Sequence, residues 1–183
     1  MSHVSKLALI VVDMQLRFED MSRKMNIIEK VVSVIQACHK QGVPVFFTQH
    51  NDPDPESILR KWWQNPIIKD TDEWKLIEDV EAVADRNNDT FIVDKTRYDA
   101  FHGTSLKKHL LERGVDTVVV CGAMTNLCCE TTARSAFANN FHVIFLRDGN
   151  ATSTQEFHDA SVKNLEFGFA TIKTCEEFIA TLK

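Results

Sequence analysis

The chain has 183 residues, 44% of them apolar and 26% charged, and a formal net charge of −5, which predicts one soluble domain large enough to bury a real core. It has no dense basic stretch, no apolar run approaching about 18 residues, and no signal-peptide layout in Met-Ser-His-Val-Ser-Lys, so nucleic acid and membrane are excluded as partners and a cytoplasmic location is expected. Cys38, Cys121, Cys128, Cys129 and Cys175 are odd in number with no Cys-x-x-Cys pair, which argues against a disulfide framework or a thiolate zinc site and predicts reduced thiols.

In chain order, the apolar run Lys6 to Val12 predicts a first strand, Ile27 to Gln41 a helix ending at Gly42, and Val43 to Thr48 a second strand. Gln49 to Glu81 is irregular, carrying Asp52-Pro-Asp-Pro55 and Trp62-Trp63, and a loop of that length in a compact domain is usually functional. Thr90 to Asp94 gives a third strand, Ser105 to Arg113 a helix between Thr104 as N-cap and Gly114, and Val115 to Cys121 a fourth strand. A helix over Asn126 to Asn139 follows, then a strand from Phe141 to Arg147 and a helix over Gln155 to Phe167 between Thr154 and Gly168. A short strand from Ala170 to Ile172 and a helix from Cys175 to Leu182 close the chain. Glycines 42, 114 and 168 stand where left-handed C-caps are expected. Near-continuously apolar strands alternating with helices predict a parallel sheet covered on both faces. The expected fold is therefore a single domain over residues 1–183: three-layer α/β/α, Rossmann-like, with a mainly parallel, roughly six-stranded sheet. The sequons at Asn88 and Asn150 are read as chance matches.

Ligands of such sheets bind outside the carboxyl ends of the strands. There the first strand ends in Asp13, the third is followed by Lys95, and the fourth leads to Cys128. The run from Cys121 to Ala136 breaks a strand pattern at Gly122 and opens a helix around Cys128. Partial positive charge at a helix N-terminus favours thiolate, so Cys128 is the candidate nucleophile. Cys129, Cys38, Cys121 and Cys175 read as inert buried residues. Phe18, Trp62, Trp63, Tyr98 and Phe101 are candidates for an aromatic slot that holds a planar ring, and Thr125 and Asn126 for bracing the Cys128 helix.

Three segments, Ile10-Val-Val-Asp-Met-Gln15 with Phe18, Asp94-Lys-Thr-Arg-Tyr-Asp-Ala-Phe101, and Gly122-Ala-Met-Thr-Asn-Leu-Cys-Cys-Glu-Thr-Thr-Ala133, resemble the motif blocks of the isochorismatase-like cysteine hydrolases. Trp62-Trp-Gln-Asn-Pro66 and Thr125 to Ala133 further resemble plant-type members described as nicotinamidases. The resemblance implies that Asp13 is the acid/base, that Lys95 balances its charge and helps activate the thiol, and that Cys128 attacks a carbonyl to give a thioester. It also implies a cis Ala123-Met124 peptide, with the backbone N–H groups of Met124 and Cys128 as oxyanion donors, and assembly into a homo-oligomer. Many microbial nicotinamidases hold a divalent cation with an Asp-x-His pair and a later His. Here the segment is Thr48-Gln-His50-Asn-Asp52-Pro-Asp54 with no further His until His102, an incomplete set, so no metal and no cofactor are expected.

The expected function is hydrolysis of a small-molecule amide, nicotinamide leading. The alternatives are isochorismate-type vinyl-ether hydrolysis, which needs a general acid but no nucleophile, and a noncatalytic binding protein on the same fold. A cysteine in the motif favours acyl transfer.

Overall fold

The computed structural model describes residues 6–84 and 90–182, so the sequon at Asn88 lies outside the described residues. Among the described residues six strands form one sheet: β1 (Leu7–Val12), β2 (Val45–His50), β3 (Thr90–Lys95), β4 (Thr117–Ala123), β5 (His142–Ala151) and β6 (Thr171–Lys173). Their order is β3-β2-β1-β4-β5-β6, every neighbouring pair parallel. The helices are α1 (Glu19–Lys24), α2 (Ile28–Lys40), α3 (Leu59–Trp62), α4 (Glu78–Glu81), α5 (Leu106–Glu112), α6 (Glu130–Ala138), α7 (Gln155–Gly168) and α8 (Cys175–Ala180). Among the described residues no helix is long and apolar enough to cross a membrane.

The central strands β1 and β4 are apolar and buried at nearly every position because both faces are covered, and the two-residue alternation of a strand sorts them. Leu9 and Val11 of β1 join Phe47, Val119 and Cys121 in a core with α2, α4 and α8. Ala8, Ile10 and Val12 point the other way and pack with Phe46, Val118 and Val120 under α5, α6 and α7. Thus the predicted three-layer architecture is the one observed.

Local chemistry explains most boundaries. Gly42 and Gly114 close α2 and α5 at φ +66° and +65°, and Thr154 caps α7 by accepting from the Phe157 N–H. Thr104 accepts from the Leu106 N–H at 3.2 Å, one residue ahead of the cap position Ser105. Gly168 differs from expectation: it is the last residue of α7 without a left-handed φ, because the chain leaves the helix through Phe169 at φ −132° on its way into β6. β5 also outruns the predicted end at Arg147. Within the added residues Asn150 Nδ2 donates to the carbonyls of Leu146 (2.6 Å) and Val120 (3.3 Å), satisfying the backbone where the β4–β5 register shifts. Asn150 is 1% exposed, which rules out a glycan there.

The long segment after β2 is not unstructured. It contains α3, a 3₁₀ turn at Asp72–Trp74 and α4. Gln15 staples it to the sheet edge: its Nε2 donates to the carbonyls of Trp74 (2.8 Å) and His50 (3.1 Å), and its Oε1 accepts from the His50 N–H (2.8 Å). An antiparallel bridge pairs Gln15 with Leu76. This loop is thereby held over the carboxyl ends of β1 and β2.

Candidate active site

Asp13 follows the last residue of β1 and is fully buried, at φ +46°. Asp is among the few side chains tolerant of the left-handed region. The neighbouring strand holds it there: the Asp13 N–H donates to the Thr48 carbonyl (3.2 Å) and to Thr48 Oγ1 (3.1 Å), and that hydroxyl donates to Asp13 Oδ1 (2.5 Å). Thr48 was not singled out in the sequence, although its position at the end of β2 is the same signal that marked Asp13.

Lys95 ends β3, 1% exposed, with Nζ 2.7 Å from Asp13 Oδ2 and donating to the Arg97 carbonyl at 3.0 Å. Burial by itself lowers a lysine, but the carboxylate of Asp13 and the sulfur of Cys128 outweigh it, and the Lys95 pKa is raised. The ammonium stays charged, and the pair is neutral overall, which is how two charges are tolerated away from water.

Cys128 sits in a π-helical turn, Thr125–Cys129, that precedes α6, with the Cys129 N–H donating to the Met124 carbonyl at 3.1 Å. Lys95 and Asp13 both act on its thiol, which places the sulfur beside that pair. The three side chains therefore meet, as strands β1, β3 and β4 deliver them to one edge. The expected resting thiolate is corrected: burial pushes the thiol up to about 12, with Lys95 opposing that rise and Asp13 adding to it. Near neutral pH the group is a thiol facing a carboxylate. Cys129, Cys38, Cys121 and Cys175 are also buried, and burial raises their pKa values. The Ala123–Met124 peptide is cis. Thr125 and Asn126 brace the turn, Thr125 Oγ1 lying 3.0 Å from His158 Nδ1 and Asn126 Oδ1 accepting from the Thr152 hydroxyl at 2.5 Å.

Above Cys128 is a cavity of about 120 Å³, its walls mainly apolar. Phe18, Trp63, Tyr98, Met124, Leu127 and Ile67 are among its walls, and Arg17, His50 and Asp52 also line it. Two expected slot residues lie elsewhere. Trp62 is 77% exposed and lines an outer groove, because only one of two adjacent residues at the end of α3 can face inward. Phe101 packs on Phe141, ring centroids 6.0 Å apart, and contributes to the core beneath α5 and α6. Leu59, Asn65, Pro66 and Ile67 line the cavity without having been anticipated, since nothing in the periodicity of an irregular segment says which way it faces.

The donors available to a metal are few. Asp52 is buried with its Oδ2 3.4 Å from Arg60 Nε, and Arg60 Nη2 donates to the Asp52 carbonyl at 2.7 Å. Asp54 turns away to accept from the Glu56 N–H at 2.9 Å. His50 is held below its ordinary pKa by burial and by Lys95, and so is a neutral imidazole at pH 7. Asp52 Oδ1 and His50 Nδ1 lack a hydrogen-bond partner, yet among the described residues no three His, Cys, Asp or Glu side chains converge. Two donors, one already paired with a guanidinium, do not fit a tight divalent site.

Residues 7–177 match the isochorismatase domain family. Over 178 residues the chain is 39% identical to Nicotinamidase 3 of Arabidopsis thaliana, covering 96% of this chain and 88% of that protein. A cysteine hydrolase from Pseudomonas syringae pv. phaseolicola 1448A superposes with a TM-score of 0.87 at 28% identity, over 100% of this chain and 98% of that one. A pyrazinamidase/nicotinamidase from Streptococcus mutans UA159 gives a TM-score of 0.81 at 28% identity, over 91% and 99% respectively.

Proposed function

Since the chain belongs to the isochorismatase family of hydrolases, we propose that it hydrolyses a small planar amide, with nicotinamide the leading candidate, through a thioester on Cys128. The observation that carries this reading is the contact of a thiol with a buried carboxylate–ammonium pair at the floor of a ring-sized apolar cavity. An enclosed cavity of about 150 Å³ takes up benzene, so a partly open space of about 120 Å³ is on the scale of a single ring. The similarity to a plant nicotinamidase supports the same substrate class.

In this mechanism Asp13 takes the thiol proton as sulfur adds to the carboxamide carbon, which is why a protonated resting cysteine beside a carboxylate is competent. The oxyanion is held by the backbone N–H groups of Met124 and Cys128. When the C–N bond breaks, Asp13 returns that proton to nitrogen and ammonia leaves. Water then adds to the thioester, giving a proton to Asp13. The C–S bond breaks, the proton passes back to sulfur, and the carboxylic acid departs. Lys95 balances the Asp13 carboxylate at 2.7 Å between these transfers, and Thr48 fixes which way that carboxylate faces. No step needs a metal.

Ammonia release from nicotinamide and a panel of simple aryl and alkyl amides tests this, with isochorismate run in parallel. Wild type should release ammonia, with or without prior chelation, and Cys128→Ala should not. Inert amides with isochorismate consumed by both wild type and Cys128→Ala would replace the amidase reading with vinyl-ether hydrolysis, Asp13 then acting as general acid.

A further inference from the structure

Beside the cavity runs an outer groove lined by Ile58, Trp62, Arg97 and His102. Leu59, Trp63, Tyr98 and Leu127 belong to both spaces and form the wall between them. Across that wall the Trp63 Nε1–H donates to the Tyr98 hydroxyl at 2.7 Å, joining two segments 35 residues apart. The two ends of this bond are anchored unequally. Tyr98 stands on a loop pinned to α6: Thr132 Oγ1 accepts from the Ala100 N–H (3.1 Å), and the Ser135 hydroxyl donates to Asp99 Oδ2 (2.8 Å). Trp63 sits at the end of the four-residue α3, itself 44% exposed, next to Trp62 at 77% and near Ile58 at 58%.

From this geometry we propose that the Trp63–Tyr98 hydrogen bond is a size-selecting bar: closed, it limits the cavity to single-ring amides, and with Trp63 swung out, it joins the cavity to the outer groove and admits two-ring amides. Tyr98 is the fixed post and Trp63 the arm, because Tyr98 lies between residues tied to α6, whereas Trp63, though α3 is tied to Asp52 through Arg60, is itself 44% exposed and flanked by exposed Trp62. Both residues are specificity determinants and neither moves a proton. A fused second ring adds several carbons to a space that already matches one ring, and the groove offers apolar surface of Ile58 and Trp62 to receive it.

The proposal rests on the amidase reading only for its catalytic readout, so it is tested in two ways. First, kcat/KM for quinoline-3-carboxamide is divided by that for nicotinamide in wild type, Tyr98→Phe, Trp63→Phe and the double variant. Each single variant should raise the ratio by about tenfold, the scale of pocket discrimination against small changes in substrate bulk. Because both remove the same bond, the double variant should gain little more. Second, Cys128 is alkylated with N-methylmaleimide and N-phenylmaleimide, with peptide mapping to confirm that the label lies on Cys128 alone. The larger reagent should lag in wild type and catch up in either variant. A wild type that reacts equally with both reagents, or variants that leave both ratios unchanged, would overturn the bar. Amides inert throughout with the alkylation gap relieved would remove the amidase reading and leave the bar standing.

Discussion

Replacing Asp13 with Asn should speed alkylation of Cys128 while abolishing hydrolysis. In the wild-type protein burial holds the thiol at about 12 against an ordinary 9.0. At pH 8 its thiolate fraction is then about 10⁻⁴, compared with about a tenth for an ordinary thiol. Alkylation by iodoacetamide should therefore run about a thousandfold below a free thiol before any steric hindrance, and climb about tenfold per pH unit from 7 to 11 without a plateau. Cys128 should still label first, since it lines the cavity and is 6% exposed, whereas Cys38, Cys121 and Cys129 are at 0% and Cys175 is at 3%. Asp13→Asn removes a carboxylate that raises the thiol and leaves the Lys95 ammonium that lowers it. The thiolate population at pH 8 should rise as Cys128 replaces Asp13 as the acid partner of Lys95, yet the proposed proton acceptor and donor for turnover are gone. The assay is mass-spectrometric peptide mapping of timed iodoacetamide reactions across pH, beside an ammonia assay on the same preparations. A wild-type rate that levels off near pH 7 would show a resting thiolate and refute the argument. So would an Asp13→Asn protein that alkylates more slowly than wild type.

Thr48→Val keeps the side-chain volume but deletes the hydroxyl that donates to Asp13 Oδ1 at 2.5 Å. It should cost about 1.5 to 3 kcal/mol by urea unfolding, the worth of a hydrogen bond to a charged group, and lower kcat more than it raises KM. Gly122→Ala should yield little folded protein: at φ +126° an added Cβ would lie 2.0 Å from the Val12 carbonyl oxygen, and backbone cannot yield as a side-chain tip can. A soluble Gly122→Ala protein with a wild-type melting temperature would contradict the reported packing of β1 on β4. Alkali should destabilise the fold, because Cys38 ionises near 9.0 when unfolded but at about 12 when buried. Between those values the unfolded chain releases a proton that the native chain retains, so stability falls as pH rises, by up to about 1.4 kcal/mol per pH unit for such a thiol. Cys38→Ala should flatten that decline in urea titrations between pH 9 and 11. On the acid side His50 and His158 are held below their ordinary 6.5 by burial. Stability should fall as pH drops below 6.5, since the unfolded imidazoles take up protons that the folded ones resist, and urea midpoints at pH 5 and 7 check this.

Strand and helix positions were legible because burial on two faces writes unbroken apolar runs, and α-helices on that sheet write a 3.6-residue period. Asp13, Lys95 and Cys128 could be named because a parallel sheet sends every strand end to one edge, which makes sequence position equivalent to spatial position there. That equivalence ends where the regular structure ends. Whether Trp62 or Trp63 turns inward depends on how α3 is held by the Arg60–Asp52 contacts, and Phe101 is taken by Phe141, 40 residues away. The part of Thr48 in fixing Asp13 follows from the contact between the ends of β1 and β2, which is not written in either strand alone. The protonation of Cys128 depended most on tertiary structure. A helix N-terminus argues locally for thiolate, but the free energy of a charge is set by how much water and which partners surround it. Only the folded chain places that sulfur out of water beside one carboxylate and one ammonium, where burial outweighs the ammonium and favours the protonated thiol.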